Sequence, residues 1–280
     1  MQWRGRRTSG NIEDRRRGGG MGRPAGIGGV GLVIVLLIGI FFGVDITPFI
    51  GGGQVQTGAP AGPNAIDDEA EEFVGVVLAD TEEVWTDIFQ GSGLTYTEPV
   101  LVLYAGRTAS ACGGADAAMG PFYCPNDQRV FLDTDFFRVL SQQMGARGDF
   151  AAAYVIAHEV AHHVQNQLGV LGEVNRRRGM ASQSESNQLS VRTELQADCY
   201  SGLWARHAAD RFGTISDADI EDALNAAARI GDDALQRASQ GVVVPDSFTH
   251  GSSEQRQRWF YTGYRSGDPQ ACDTFATSQL

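Results

Sequence analysis

The sequence predicts an α+β fold, a small antiparallel sheet packed on a helical bundle, and three observations carry that expectation. Two short β-rich runs, Pro99–Ala105 (PVLVLYA) and Gln128–Asp133 (QRVFLD), precede most of the helical pattern. The stretch Asp149–Gly169 (DFAAAYVIAHEVAHHVQNQLG) has no proline or internal glycine and is apolar on nearly every face, as a buried helix must be. Helical periodicity recurs at Asp67–Gln90, Val191–Gly213 and Asp217–Gln240.

The 280 residues, 42% hydrophobic, suffice for one sizeable domain with appendages. Every basic residue is arginine, and the charge is uneven: residues 1–26 carry a net +5, residues 45–280 a net −17. Between them Ile27–Val44 (IGGVGLVIVLLIGIFFGV) is uncharged, long enough at about 1.5 Å per residue to cross most of a ~30 Å hydrocarbon layer. With Arg15, Arg16, Arg17 and Arg23 before it and Asp45 after it, residues 27–44 read as a single transmembrane anchor. That places the N-terminus in the cytoplasm and the large domain outside the cell membrane. A cleaved signal peptide fits less well, because the only small-x-small site, Ala59-Pro60-Ala61, lies far downstream and contains proline.

Residues 1–26, rich in Gly and Arg, read as a disordered cytoplasmic arm in contact with anionic lipid, and 45–66 as a flexible linker. The acidic charge of the outer domain, residues 67–280, excludes nucleic acid as a partner.

The Asp149–Gly169 helix has Asp149 as an expected N-cap and Gly169 just past its end. It carries His158, Glu159 and His162 in the spacing His-Glu-x-x-His. Histidines four apart lie one turn apart on one face, so both imidazoles can reach one zinc ion. Glu159, beside the first, is placed to act as general base and acid on a water activated there, the chemistry of amide hydrolysis. His163 points about 100° away from His162 and His207 lies past the apolar part of its helix, so both read as structural or exposed.

A catalytic zinc needs a third protein ligand. On the Val191–Gly213 helix Glu194 and Asp198 are four apart on one face. Glu194 is the expected ligand and Asp198 the acceptor for a ligand histidine's second ring nitrogen, with the reverse assignment open. Val170–Ser190 reads as a surface excursion in which Arg176, Arg177 and Arg178 form a solvated patch.

The four cysteines are even in number, and an oxidising compartment permits bonding. Cys112 and Cys124 share one short loop between strands and are expected to pair, leaving Cys199 with Cys272. The rival, a cysteine metal ligand beside two histidines, suits a cytosolic enzyme and not an anchored one.

These motifs, HEVAHHVQNQLG, TELQADCYSGLWA, GDDALQ and FTHGSSEQRQRWFYTGYRSGDPQACDTF, resemble the family named "Putative neutral zinc metallopeptidase", membrane-anchored bacterial proteins of the gluzincin type. The likeness runs from about Tyr96 to Phe275 and implies a zincin-like fold with Glu194 as third ligand. The segment FTHGSSEQR also resembles the Thr-His-Pro to Arg segment of prenyl-protease-like zinc peptidases, with Gly251 where that pattern has proline. It makes His250 a candidate donor to the developing oxyanion or a latch on the zinc, a structural helix-entry role being the alternative, and leaves Arg256 to pair with a carboxylate inside the fold. Gly231-Asp232-Asp233 reads as an interhelical turn.

The expected function is therefore a membrane-anchored zinc metallopeptidase acting on a peptide or protein substrate, with Val130–Asp133 as the edge strand along which the substrate pairs. Two alternatives stand beside it: a zinc-containing, membrane-tethered binding or assembly factor without proteolytic activity, and a hydrolase of a non-peptide amide.

Overall fold

The computed structural model describes residues 1–16, 68–116, 120–143, 145 and 148–280. The expected anchor at 27–44 and the linker at 45–66 lie outside the described residues. Among the described residues no helix is long and apolar enough to cross a membrane.

The chain is α+β and mostly helical. In order it forms β1 (Ile12–Asp14), α1 (Glu69–Gly91), β2 (Val100–Tyr104), β3 (Arg107–Ser110), β4 (Gly113–Asp116), β5 (Phe122–Cys124) and β6 (Arg129–Asp133). Then follow α2 (Asp135–Arg138), α3 (Asp149–Gln167), α4 (Val170–Arg178), α5 (Gln183–Phe212), α6 (Asp217–Arg229), α7 (Asp232–Gln240) and α8 (Ser253–Ser266).

The main sheet has the order β1-β2-β6-β5, while β3 and β4 form a separate hairpin. It is mixed, not antiparallel as expected: β1, β2 and β6 are parallel, and only β5 runs against its neighbour. The long stretch between β2 and β6, which holds the hairpin and β5, supplies the crossover that parallel pairing requires. This also corrects the expectation for Val130–Asp133. Val130 and Phe131 are interior, paired with β2 on one side and β5 on the other, while Leu132 and Asp133 pair with β2 alone, so the sheet's outer strand is β5.

The N-terminal residues depart furthest from expectation. Residues 1–16 are not a disordered arm; they are built into the domain. Trp3 is buried, and its indole nitrogen donates to Asp149 at 2.7 Å. Asp149 therefore does not cap α3 with its side chain, and Gly148, at φ 98°, holds the N-cap position. Arg6 grips the buried Asp80 through both terminal nitrogens at 2.8 and 2.7 Å, and Asn11 donates to Glu82 at 2.8 Å. β1 then adds a parallel strand to β2.

The arm misread as disordered because its partners are remote in sequence. The acids of α1 include the buried Glu71, Asp80 and Glu82. The arm covers them.

Helix α3 is buried from Phe150 to Gln165 and packs against α1, α5 and α6. Gly169, at φ 79°, follows its end as expected. The surface excursion at 170–190 instead contains α4 and the first turns of α5. A capping box between Ser182 and Glu185 starts α5 well before its apolar face begins.

Both cysteine pairs form as expected, Cys112–Cys124 and Cys199–Cys272. The second joins residues 73 apart and fastens the C-terminal tail to α5, a closure worth roughly 4 kcal/mol in lost unfolded-chain entropy.

Candidate metal centre

His158 and His162 stand one turn apart on α3, and Glu194 faces them from α5. His158 Nε2 lies 3.1 Å from one Glu194 oxygen and His162 Nε2 3.6 Å from the other. One ligand atom from each of the three falls within 4.8 Å of the others, and all three residues are buried. Two imidazoles and one carboxylate form a donor set that suits zinc and leaves room for a water or substrate oxygen.

The other ring nitrogens are occupied, which turns Nε2 of each toward Glu194. His158 Nδ1 donates to Asp198 at 2.9 Å. Asp198 is fully buried and also accepts from Tyr154 at 2.5 Å and from Arg256 at 2.8 and 2.9 Å. Tyr154 precedes His158 by one turn of α3, and Arg256 comes from α8, so three helices meet on one carboxylate. Glu194 faces the Nε2 atoms of both histidines, and Asp198 lies behind the His158 ring at Nδ1.

His162 Nδ1 donates to Gln165 at 2.9 Å, and Gln165 is held by the Thr193 carbonyl at 2.8 Å and by Gln196 at 3.0 Å. Sequence reasoning overlooked Gln165, although its place three residues after His162 on one helix was a readable signal.

The electrostatics follow from this packing. Burial disfavours a charged imidazole at His158, but the Asp198 and Glu194 carboxylates outweigh it and push the group up to about 9. Burial would raise Glu194, yet the two histidines hold its carboxyl well below the usual range. Glu159 is different. It is 8% exposed, and burial, only partly offset by His162 and His158, lifts its carboxyl above the ordinary value. An acid whose affinity for a proton is raised beside the trio is suited to taking one and giving it back.

His250 is not among the three candidate ligands. Its backbone N–H donates to Asp232 at 2.6 Å, as do those of Thr249 and Gly251 at 2.7 and 3.0 Å, and its Nδ1 lies 3.3 Å from the same carboxylate. It is near enough to Glu194 for the two charges to act on each other. Asp232 and Asp233 thus hold the 249–253 segment, Asp233 accepting from the Ser253 N–H and hydroxyl, each at 2.7 Å. Nothing local in the sequence signals this clasp. Gly251 has φ 94°, which proline cannot adopt, so a Thr-His-Gly turn here is a different turn from Thr-His-Pro.

The remaining histidines are structural. His163 bonds Tyr123 at 2.9 Å and the Thr97 carbonyl at 2.7 Å, and His207 bonds the Gly267 carbonyl at 2.9 Å. Arg176 pairs with Glu173 on the exposed face of α4, as a solvated patch would.

Removing the charge of Asp198 tests its support of His158. Asp198→Asn is expected to lower zinc affinity about 10–100-fold, read by competition with a chromophoric chelator. Affinity at the wild-type level would show that the His158 ring does not depend on this contact.

The family described as "Putative neutral zinc metallopeptidase" matches residues 1–275. The chain is 48% identical over 289 residues to the uncharacterized protein YpfJ of Escherichia coli (strain K12), which covers 99% of this chain and 100% of that protein. It is 43% identical over 249 residues to the uncharacterized protein Rv2575 of Mycobacterium tuberculosis (strain ATCC 25618 / H37Rv), 84% of this chain and 79% of the relative. No solved structure matches.

Proposed function

Because this chain belongs to the "Putative neutral zinc metallopeptidase" family, we propose that it is a zinc-dependent peptidase that cleaves peptide bonds with Glu159 as general base and acid. One observation carries the reading: both His158 and His162 turn Nε2 toward the two oxygens of Glu194, while the buried acid Glu159 stands beside that trio and outside it.

His158, His162 and Glu194 would hold the ion. Zinc, when bound there, supplies Lewis acidity toward the scissile carbonyl and the attacking water. Glu159 takes the proton of that water and later delivers it to the departing amide nitrogen. Asp198 and Gln165 keep the two imidazoles oriented throughout. His250, held by Asp232, donates to the oxygen on which negative charge develops.

An extended substrate adds to the outer edge of β5. This strand is fastened to α3 through Tyr123, which bonds His163 at 2.9 Å and accepts from Asn166 at 3.0 Å. A substrate-analogue complex with the peptide bound away from β5 would remove this part of the reading.

The two disulfides and the acidic domain favour action outside the cytoplasm, with the apolar stretch 27–44 keeping the protein at a membrane.

The test is metal content and cleavage of a diverse peptide library by the full-length chain in detergent. Cleavage that a chelator abolishes and added zinc restores, with the circular-dichroism spectrum unchanged, is the expected outcome. Bound zinc without cleavage of any peptide would point instead to a tethered binding factor or a non-peptide amide substrate. His250→Phe is expected to keep zinc and lower turnover by about 10²-fold. Unchanged turnover would reject its role toward the oxyanion.

A further inference from the structure

Residues 1–16, which the charge pattern assigned to the cytoplasm, are part of the folded domain. Arg16 and Asp68 flank the stretch 17–67, and their side chains are bonded at 2.6 Å. Arg16 also binds the buried Glu71 at 2.8 Å. The chain therefore leaves the domain and rejoins it at the same place.

The arm's attachment is more than this one contact. The Ser9 N–H donates to the Gly75 carbonyl at 2.9 Å and the Leu101 N–H to the Asn11 carbonyl at 2.8 Å. A Cβ on Gly75 would stand 3.1 Å from the Thr8 side chain, so arm and helix are in van der Waals contact. The family likeness takes in the arm as well, since it begins at residue 1.

From these contacts we infer that residues 1–16 and the domain of residues 68–280 lie on the same side of the membrane. A single crossing would put the hydrocarbon layer between residues 26 and 45. For Arg16 to meet Asp68, residues 17–26 or 45–67 would then have to recross the lipid. Both segments are rich in glycine and proline and carry charge, at Arg17 and Arg23 or at Asp45 and Asp67, which does not suit them to a second passage.

All five arginines of residues 1–16 have carboxylate partners: Arg4 with Glu69, Arg6 with Asp80, Arg7 with Glu83, Arg15 with Glu13 and Arg16 with Asp14, Asp68 and Glu71. Their charge is answered within the fold. The two disulfides put the shared side outside the cytoplasm. This inference does not depend on peptidase activity.

Thiol labelling of the full chain in spheroplasts tests it. All four native cysteines are in disulfides, so one added cysteine is the only thiol. Gly10 in the arm and Gly172 on α4 are both exposed, and a Cβ on either meets nothing within 4 Å. In separate Gly10→Cys and Gly172→Cys chains, both thiols should react with a membrane-impermeant maleimide before lysis, to extents within about twofold of each other. Reaction of Gly172→Cys before lysis but of Gly10→Cys only after lysis in denaturant would overturn the shared side. Protection of both until lysis would sustain the shared side and overturn its placement outside the cytoplasm.

Discussion

In a Glu159→Gln chain, zinc content is expected to stay at the wild-type level while peptide cleavage falls by about 10²–10⁴-fold. The amide keeps the shape of the carboxyl, and Glu159 is not among the three residues whose ligand atoms converge. On the proposed mechanism the change leaves the candidate metal centre whole and removes only the group assigned the proton transfer. Burial has lifted that carboxyl above its ordinary value. The amide of glutamine has no such proton affinity. Metal analysis and initial rates on the same preparation separate the possibilities. Loss of zinc along with activity would make Glu159 a structural member of the site. Full activity would assign the proton transfer to another group.

The second large effect concerns the scaffold. Helices α5 and α8 touch backbone to backbone: a Cβ on Gly202 would stand 1.9 Å from the Phe260 carbonyl oxygen, and one on Gly263 1.9 Å from that of Cys199. Neither obstacle is a side chain that can rotate aside, so a methyl group at either position must push the helices apart. Gly202→Ala is expected to cost at least about 3 kcal/mol, seen as a fall in melting temperature of roughly 6–12 °C. The damage reaches the metal centre, because α8 brings Arg256 to Asp198 and Asp198 orients His158. Gly172→Ala, with open space around it, should not lower the melting temperature. Equal melting of Gly202→Ala and wild type would contradict the close crossing.

The candidate metal centre was legible because its central residues are local to two helices. Two histidines four apart on an apolar helix define a common face without reference to the rest of the fold, and the adjacent Glu159 follows from the same helix. Glu194 and Asp198 were legible for a similar reason, being four apart on a helix with small residues that permit close approach. Gln165 was overlooked although it obeys the same periodicity. Asp232 could not have been found this way, since its partners at 249–251 come from another turn and are mostly backbone groups, which leave no trace in residue type.

The sequence by itself determined what depends on neighbours in the chain: the helices and their faces, the His-Glu-x-x-His spacing, and the even set of cysteines in one acidic domain. Tertiary structure alone decided what depends on distant partners. It made the sheet parallel at β2 and β6, because strand direction follows the path of the connection and not the residues of the strand. It put β6 inside and β5 outside. It also converted an arginine- and glycine-rich N-terminus from an apparent disordered tail into an edge strand. Composition counts charges without regard to their answers, and here the answering carboxylates lie mostly on α1, at residues 69–83, far along the sequence and adjacent only once the chain has folded.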